Sequence, residues 1–194
     1  MKIRKNSNNQ LKSINQFNLS KMKNLGKFLN LYPIWMTFLT GSLIANLSPD
    51  SVLNDYVFLR QFCNFIASLI PSIAGYANNS QFPQVTALYF STVSIFGIPM
   101  CWELRKKPEL IINDGKNVIK KWGNFSFPIM LFGCTFMIFL FIFAIFWNTG
   151  KPWNLMPIHS SKFALTIFGP IFALSPFLLL SSAIAIFQTW RKHS

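Results

Sequence analysis

The sequence predicts an all-α integral membrane protein, a four-transmembrane-helix bundle with an extra amphipathic interfacial helix in its first outer loop. Three observations predict it. Fifteen of the eighteen Lys and Arg residues fall into three blocks, Lys2 to Lys27, Arg105 to Lys121, and Arg191 with Lys192, which alternate with four long apolar stretches. Hydrophobic types make up 52% of the 194 residues and charged types only 12%, whereas a soluble domain is about one quarter charged. Trp35, Trp102, Trp122, Trp147, Trp153 and Trp190 all fall near the ends of the apolar stretches, as in the aromatic belts of membrane interfaces. Basic residues beside spans are retained in the cytoplasm, so the three blocks share one face of a bacterial inner membrane and both termini are cytoplasmic.

Residues 1–27 form a basic cytoplasmic tail rich in Lys, Asn, Gln and Ser. Leu11, Ile14, Phe17, Leu19, Met22 and Leu25 recur at roughly helical intervals, which suits either a surface-lying segment or a disordered tail. A cleaved signal peptide fits badly, because the basic region is long and no small-residue cleavage site follows the apolar run. The first span is expected over 28–47, with Phe28 and Leu29 extending it, and stops at Ser48-Pro49-Asp50. Gly41 and Ala45 share one face of it and would let a neighbouring helix approach closely.

The outer loop 48–81 contains the ambiguous segment, apolar from Val52 to Ala77. Were it a fifth span, Arg105, Lys106, Lys107, Lys116, Lys120 and Lys121 would lie outside while the N-terminal block stayed inside. Four spans avoid that conflict. A polar stripe of Arg60, Gln61, Asn64, Ser68 and Ser72 opposes an apolar face of Leu59, Phe62, Ile66, Leu69 and Ile70, so the segment reads as an interfacial helix broken at Pro71 and Gly75.

The second span, 82–102, carries Gly97 as a further close-approach position. A basic cytoplasmic loop, 103–122, leads to the third span, 123–147, the bulkiest of the four. Its Phe132, Phe136, Phe139, Phe141, Phe143 and Phe146 lie around the whole circumference and should face lipid or a hydrophobic partner. After the outer loop 148–162 comes the fourth span, 163–190, in which Pro170 and Pro176 predict a kinked or locally opened helix. Residues 191–194 are a cytoplasmic stub.

Composition also excludes function classes. The net charge of +13 flanks spans rather than clustering beside stacking groups, so it signals topology and anionic-lipid contact, not nucleic acid. Asp50, Asp55, Glu103, Glu109 and Asp114 all lie in loops or at span ends, which disfavours an ion-coupled transporter. His159 and His193 fall on opposite sides of the membrane and read as surface residues. Cys63, Cys101 and Cys134 are too scattered for a disulfide framework or a metal site. The hydroxyls of Ser91, Thr92, Ser94, Ser175, Ser181 and Ser182 have no nearby base and read as helix-packing groups. No catalytic residue, cofactor or metal is expected, and a protein without such equipment works by binding.

Two outer loops offer surfaces to a partner, the first through its helix and the second, from Asn148 to Lys162, through Lys151, Trp153, Asn154 and His159. Arg60 alone could instead snorkel to a lipid phosphate. The run Trp102-Glu103-Leu104-Arg105-Lys106-Lys107 closing a span, the stub Trp190-Arg191-Lys192, and Phe58-Leu59-Arg60 followed by Ile70-Pro71-Ser72-Ile73 and Tyr76 resemble one known family. It is the four-span immunity proteins that protect bacteria from pore-forming colicins of the colicin A type. The resemblance covers about Leu31 to Lys192, with the long tail and the strongly apolar loop helix as departures.

That resemblance implies a non-enzymatic inner-membrane protein that recognises the membrane-inserted helices of a toxin and stops its channel opening. Partners are then the lipid bilayer and another membrane protein. Recognition residues would come from Arg60, Gln61, Asn64, Gly41, Ala45, Gly97, Pro170 and Pro176. The competing expectation is an accessory subunit of a larger inner-membrane complex for secretion, conjugation or respiration, with the Phe-rich third span buried against other subunits.

Overall fold

The computed structural model describes residues 31–112, 121–147 and 157–193, and these are helical without a strand. In chain order the helices are α1 Tyr32–Leu47, α2 Val52–Asp55, α3 Val57–Leu69, α4 Ser72–Asn78, α5 Pro83–Ile95, α6 Gly97–Lys106, α7 Ser126–Ile142 and α8 Lys162–His193. The tail 1–27, Phe28 and Leu29, Lys116 and Lys120 of the basic loop, and Lys151, Trp153 and Asn154 of the second outer loop lie outside the described residues.

Three helices are long and apolar enough to cross a membrane: Pro83–Lys106, in which α5 and α6 continue through Phe96, Ser126–Phe146, and Lys162–Lys192. Helix α1, at 16 residues, is shorter. It nevertheless runs from one end of the fold to the other. Leu31 and Ile34 pack with Leu104 and Leu174 near the Lys106 end. At the other end, marked by the Lys162–Asp50 ion pair of 2.7 Å, Asn46 Nδ2 donates to Thr166 Oγ1 at 3.2 Å. Pro33 opens α1 within its first turn, where a missing N–H costs nothing.

Helix α8 is the axis of the bundle and packs against α1, α5, α6 and α7. Close approach there depends on glycine. A Cβ on Gly41 of α1 would stand 2.8 Å from the Tyr89 ring of α5, and one on Gly169 of α8 would stand 2.6 Å from the same ring. Tyr89 is therefore clamped between two helices, fully buried, and three backbones meet around one aromatic side chain. Gly97 repeats the device at the start of α6, where a Cβ would collide with the Phe177 ring of α8. Small residues let helices approach closely, and the large ring fills the groove so formed.

Helix α7 is different. Its main neighbour is α8, with Gly133 facing Ile186 and Cys134 Sγ 3.4 Å from the Ala183 carbonyl. Only 11% of its apolar window is buried, against 56% for Pro83–Lys106. Phe132, Phe136, Phe139, Phe143 and Phe146 all point outward. The small residues of α7 thus face α8 and the bulky ones face away from the fold.

Two expectations are refined. Helix α8 runs continuously past Pro170 and Pro176, so it is not opened there. Pro176 cannot donate to the Phe172 carbonyl, but the Ser175 hydroxyl does so at 3.0 Å, and that keeps the turn closed. The loop segment is not one helix broken at Pro71 and Gly75: it is three, and Gly75 lies within α4 while Pro71 alone makes the turn.

Candidate functional site

Helices α3 and α4 form a hairpin folded against one side of the bundle, and it carries the polar residues singled out by the sequence. Pro71 lacks an N–H and disfavours helix in the residue before it, so α3 ends at Leu69. Ile73 and Ala74 then donate their N–H groups back to the carbonyls of Ile70 and Pro71 at 3.0 and 3.1 Å, which starts α4 in the reverse direction.

Both feet of the hairpin are fastened at the Lys162 end. Gln84 Oε1 accepts the N–H groups of Leu53 and Asn54 at 2.8 and 3.2 Å, tying α2, just before α3, to the start of α5. On the return side Gln81 N–H donates to the His159 carbonyl at 2.8 Å, and Ser80 Oγ does so at 3.3 Å. Ser80 Oγ also accepts from Phe82 N–H and Thr86 Oγ1, so one serine joins the hairpin, α5 and the approach to α8.

The tip lies far from that end. Ile70 and Ser72 line a small cleft with Ser94, Ile145, Pro176 and Phe177, about 10 Å³ in volume, room for one water molecule. A helix rises about 1.5 Å per residue, which places Ser94 roughly 15 Å from Gln84, and Pro176 roughly 21 Å from Lys162. The hairpin therefore turns beside Ile145, in the element that continues α7, and returns to the end it came from. Cys63 is buried with Leu88, Val52 and Leu53, and Tyr76 stacks on Phe90 with centroids 4.5 Å apart.

Around α3 the side chains divide into three sectors. Leu59, Phe62, Cys63, Ile66 and Ala67 pack toward α1, α5 and the core. Arg60, Gln61, Asn64 and Ser68 form an exposed polar stripe. Beyond it Phe58, Phe65 and Leu69 make an exposed apolar edge, with Phe58 76% exposed. Leu69, expected on the packed face, belongs to this edge, and Ser72, expected in the stripe, is buried at the tip.

The other predicted residues lie elsewhere. Gly41, Ala45, Gly97, Pro170 and Pro176 are all buried within the fold. The close approach expected of Gly41 and Gly97 is made to the chain's own Tyr89 and Phe177, and Ala45 belongs to the core around Tyr89. Only Arg60, Gln61 and Asn64 of the eight are exposed, and they are brought together on one face. His159, expected at the surface, is buried with its ring beside Tyr76, and its carbonyl accepts from the hairpin's return. Tyr89, Phe177 and the apolar edge of α3 were missed; Gly169 gave a signal only as the neighbour of Pro170.

Several hydroxyls in the bundle bond the backbone of their own helix. Ser181 and Ser182 donate to the carbonyls of Phe177 and Leu178 at 2.7 and 2.8 Å, and Thr37 donates to the Pro33 carbonyl at 2.7 Å. Among the described residues no group of three His, Cys, Asp or Glu could hold a metal ion. At the Lys106 end Glu103 pairs with Lys106 and Lys107, while Arg105 and Lys106 stand over the Trp102 ring at 5.7 and 5.4 Å. No family model matches the chain, and comparison with characterised proteins and with solved structures found no match.

Proposed function

We propose that the chain is a four-span inner-membrane protein with both termini cytoplasmic that acts, without catalysis or cofactor, by binding another membrane protein. Helix α1 supplies the fourth crossing, and its course from Leu104 to Thr166 supports that count. The observation that carries the binding reading is the exposed face of α3. Arg60, Gln61 and Asn64 stand beside Phe58, Phe65 and Leu69 on a bundle whose other small-to-large contacts are satisfied internally. Such a mixed polar and apolar face suits selective recognition, since apolar contact gives affinity and hydrogen bonds reject the wrong partner.

The specific reading is immunity against a pore-forming bacteriocin, following the resemblance carried by Phe58-Leu59-Arg60, Ile70-Pro71-Ser72-Ile73 and the basic span ends. Expression of the chain alone should protect sensitive cells from the pore former encoded beside its gene. Undiminished killing with the protein present in the membrane would sink the idea. Reporter fusions after Gln81, Asn113 and Lys151 test the topology, with cytoplasmic activity expected only at Asn113.

One observation favours a second reading, an accessory subunit of a larger membrane complex. Helix α7 and its continuation present an exposed stripe of Phe132, Phe136, Phe139, Phe143 and Phe146, and α7 packs mainly on α8. A subunit of that kind would co-purify with its partners in fixed ratio, which an immunity protein would not.

A further inference from the structure

We infer that the cleft at the hairpin tip is a binding site for one water molecule, which bridges Ser72 of α4 to Ser94 of α5 and holds the tip against the bundle. Such a site stands whether or not the chain binds another membrane protein.

Two buried hydroxyls call for it. Ser72 and Ser94 are 6% and 4% exposed, and neither side chain makes a hydrogen bond among the described residues. Elsewhere in the bundle a buried or half-buried hydroxyl finds a carbonyl about one turn back in its own helix, as Thr37, Ser175, Ser181 and Ser182 do. Ser94, in the last turn of α5, makes no such bond. A hydroxyl taken out of water and left without a partner is costly, so both serines need one from outside their own helices.

The partner must be small and neutral. Both serines line the cleft, Tyr76 is the third polar side chain on its wall, and Ile145 and Pro176 are among the apolar groups that close it. Its volume is about 10 Å³. One water molecule needs roughly that space and two to four polar partners, whereas a cavity walled only by apolar groups stays dry. A monovalent cation is of similar size, but no charged residue lines the cleft to balance it. An uncompensated charge inside the bundle costs far more than a neutral water.

The water completes the fastening of the hairpin. Its feet are bonded directly at the Lys162 end, through Gln84 on one side and Ser80 and Gln81 on the other. At the tip the N–H groups of Ile73 and Ala74 return to Ile70 and Pro71, and residues 70–73 make no direct hydrogen bond to α5, α7 or α8 among the described residues. A bridging water is nearly as good as a direct bond, so it supplies at the tip what side chains supply at the feet.

The test uses the full chain in mixed micelles and has two arms. Magnetisation transfer from water to the methyl groups of Ile73, Ile145 and Ala173, which line the cleft, should show NOE and ROE of opposite sign, the mark of a long-lived bound water. Ser94→Thr keeps the hydroxyl and adds a methyl group in the space of the water, so the signals should vanish. No signal in the unaltered chain refutes the site, and so does a signal that persists in Ser94→Thr, which would come from an exchanging hydroxyl. In the second arm reversible unfolding supplies a sign. With water in place Ser94→Ala removes one of its partners and should raise the unfolding equilibrium constant about five- to tenfold. In a dry cleft the same change removes an unpaired hydroxyl, and an unchanged or lowered constant overturns the proposal. Exchange of sodium chloride for choline chloride at equal ionic strength should leave stability as it was; stabilisation that follows the sodium concentration would assign the cleft to a cation instead.

Discussion

Tyr89 is the contact on which three helices depend, and Gly169→Ala is the substitution that tests it. The new Cβ would lie 2.6 Å from the Tyr89 ring and its hydroxyl. Carbon atoms in contact sit about 3.5 to 4.0 Å apart, so the ring or α8 must give by about 1 Å. The ring has little room to retreat, because the Gly41 backbone lies on its other side, so close that a Cβ there would stand 2.8 Å from the ring, and Tyr89 is fully buried. Overpacking of this kind costs about 1 to 3 kcal/mol. Reversible unfolding in mixed micelles should show that loss for Gly169→Ala. It should show less than half of it when the same change is made in a Tyr89→Leu background, where the ring is gone. A double-mutant coupling within about 0.5 kcal/mol of zero would mean that the two residues are energetically independent, and the clamp would be wrong. Tyr89→Phe supplies an internal control. Its hydroxyl is buried without a hydrogen-bond partner among the described residues, so removing it should leave stability unchanged or raise it by about 1 kcal/mol.

Other contacts give further expectations. Ser80→Ala removes the hydroxyl shared by Phe82, Thr86 and His159 and should cost about 1 to 2 kcal/mol in the same unfolding assay; a loss below experimental error would show that the hairpin's return is held by packing alone. Asp50→Asn breaks a 2.7 Å ion pair, but the carboxylate is 72% exposed, so the cost should stay below about 1 kcal/mol and shrink with added salt. Phe136→Leu and Phe139→Leu on α7 replace outward apolar groups with apolar groups, and stability in vesicles should not change measurably. A clear loss of a co-purifying protein with either variant would favour the subunit reading instead.

Much of the helical order was legible because hydropathy and basic flanks are local properties of the chain. A helix in lipid must satisfy its own backbone, so a long apolar run bounded by Lys and Arg implies one without reference to the rest of the fold. The exposure of α7 was legible for the same reason, but its arrangement was not: Phe132, Phe136, Phe139, Phe143 and Phe146, spaced by three and four, form one outward stripe rather than a ring, and Gly133 and Cys134 face α8. The stripe Arg60, Gln61 and Asn64 could be read from its spacing of three and four. What that stripe faces could not be read, because the charge argument distinguishes an even from an odd number of crossings and is blind to depth. The small residues were the least legible part. Gly41, Gly97 and Gly169 signal close approach, but whether the neighbour is another helix of the same chain or of a partner depends on where Tyr89 and Phe177 arrive.

The sequence by itself determined that this is a helical, membrane-compatible chain, where its apolar helices run, and which of its few polar residues share a face. Tertiary structure alone decided that α8 is the axis, that two glycines from different helices grip one tyrosine, and that Pro71 turns a loop into a hairpin whose tip lies beside Ile145. The physical reason is range. Hydropathy and helical period act between residues a few positions apart, whereas packing joins Gly41, Tyr89 and Gly169, which no local pattern connects.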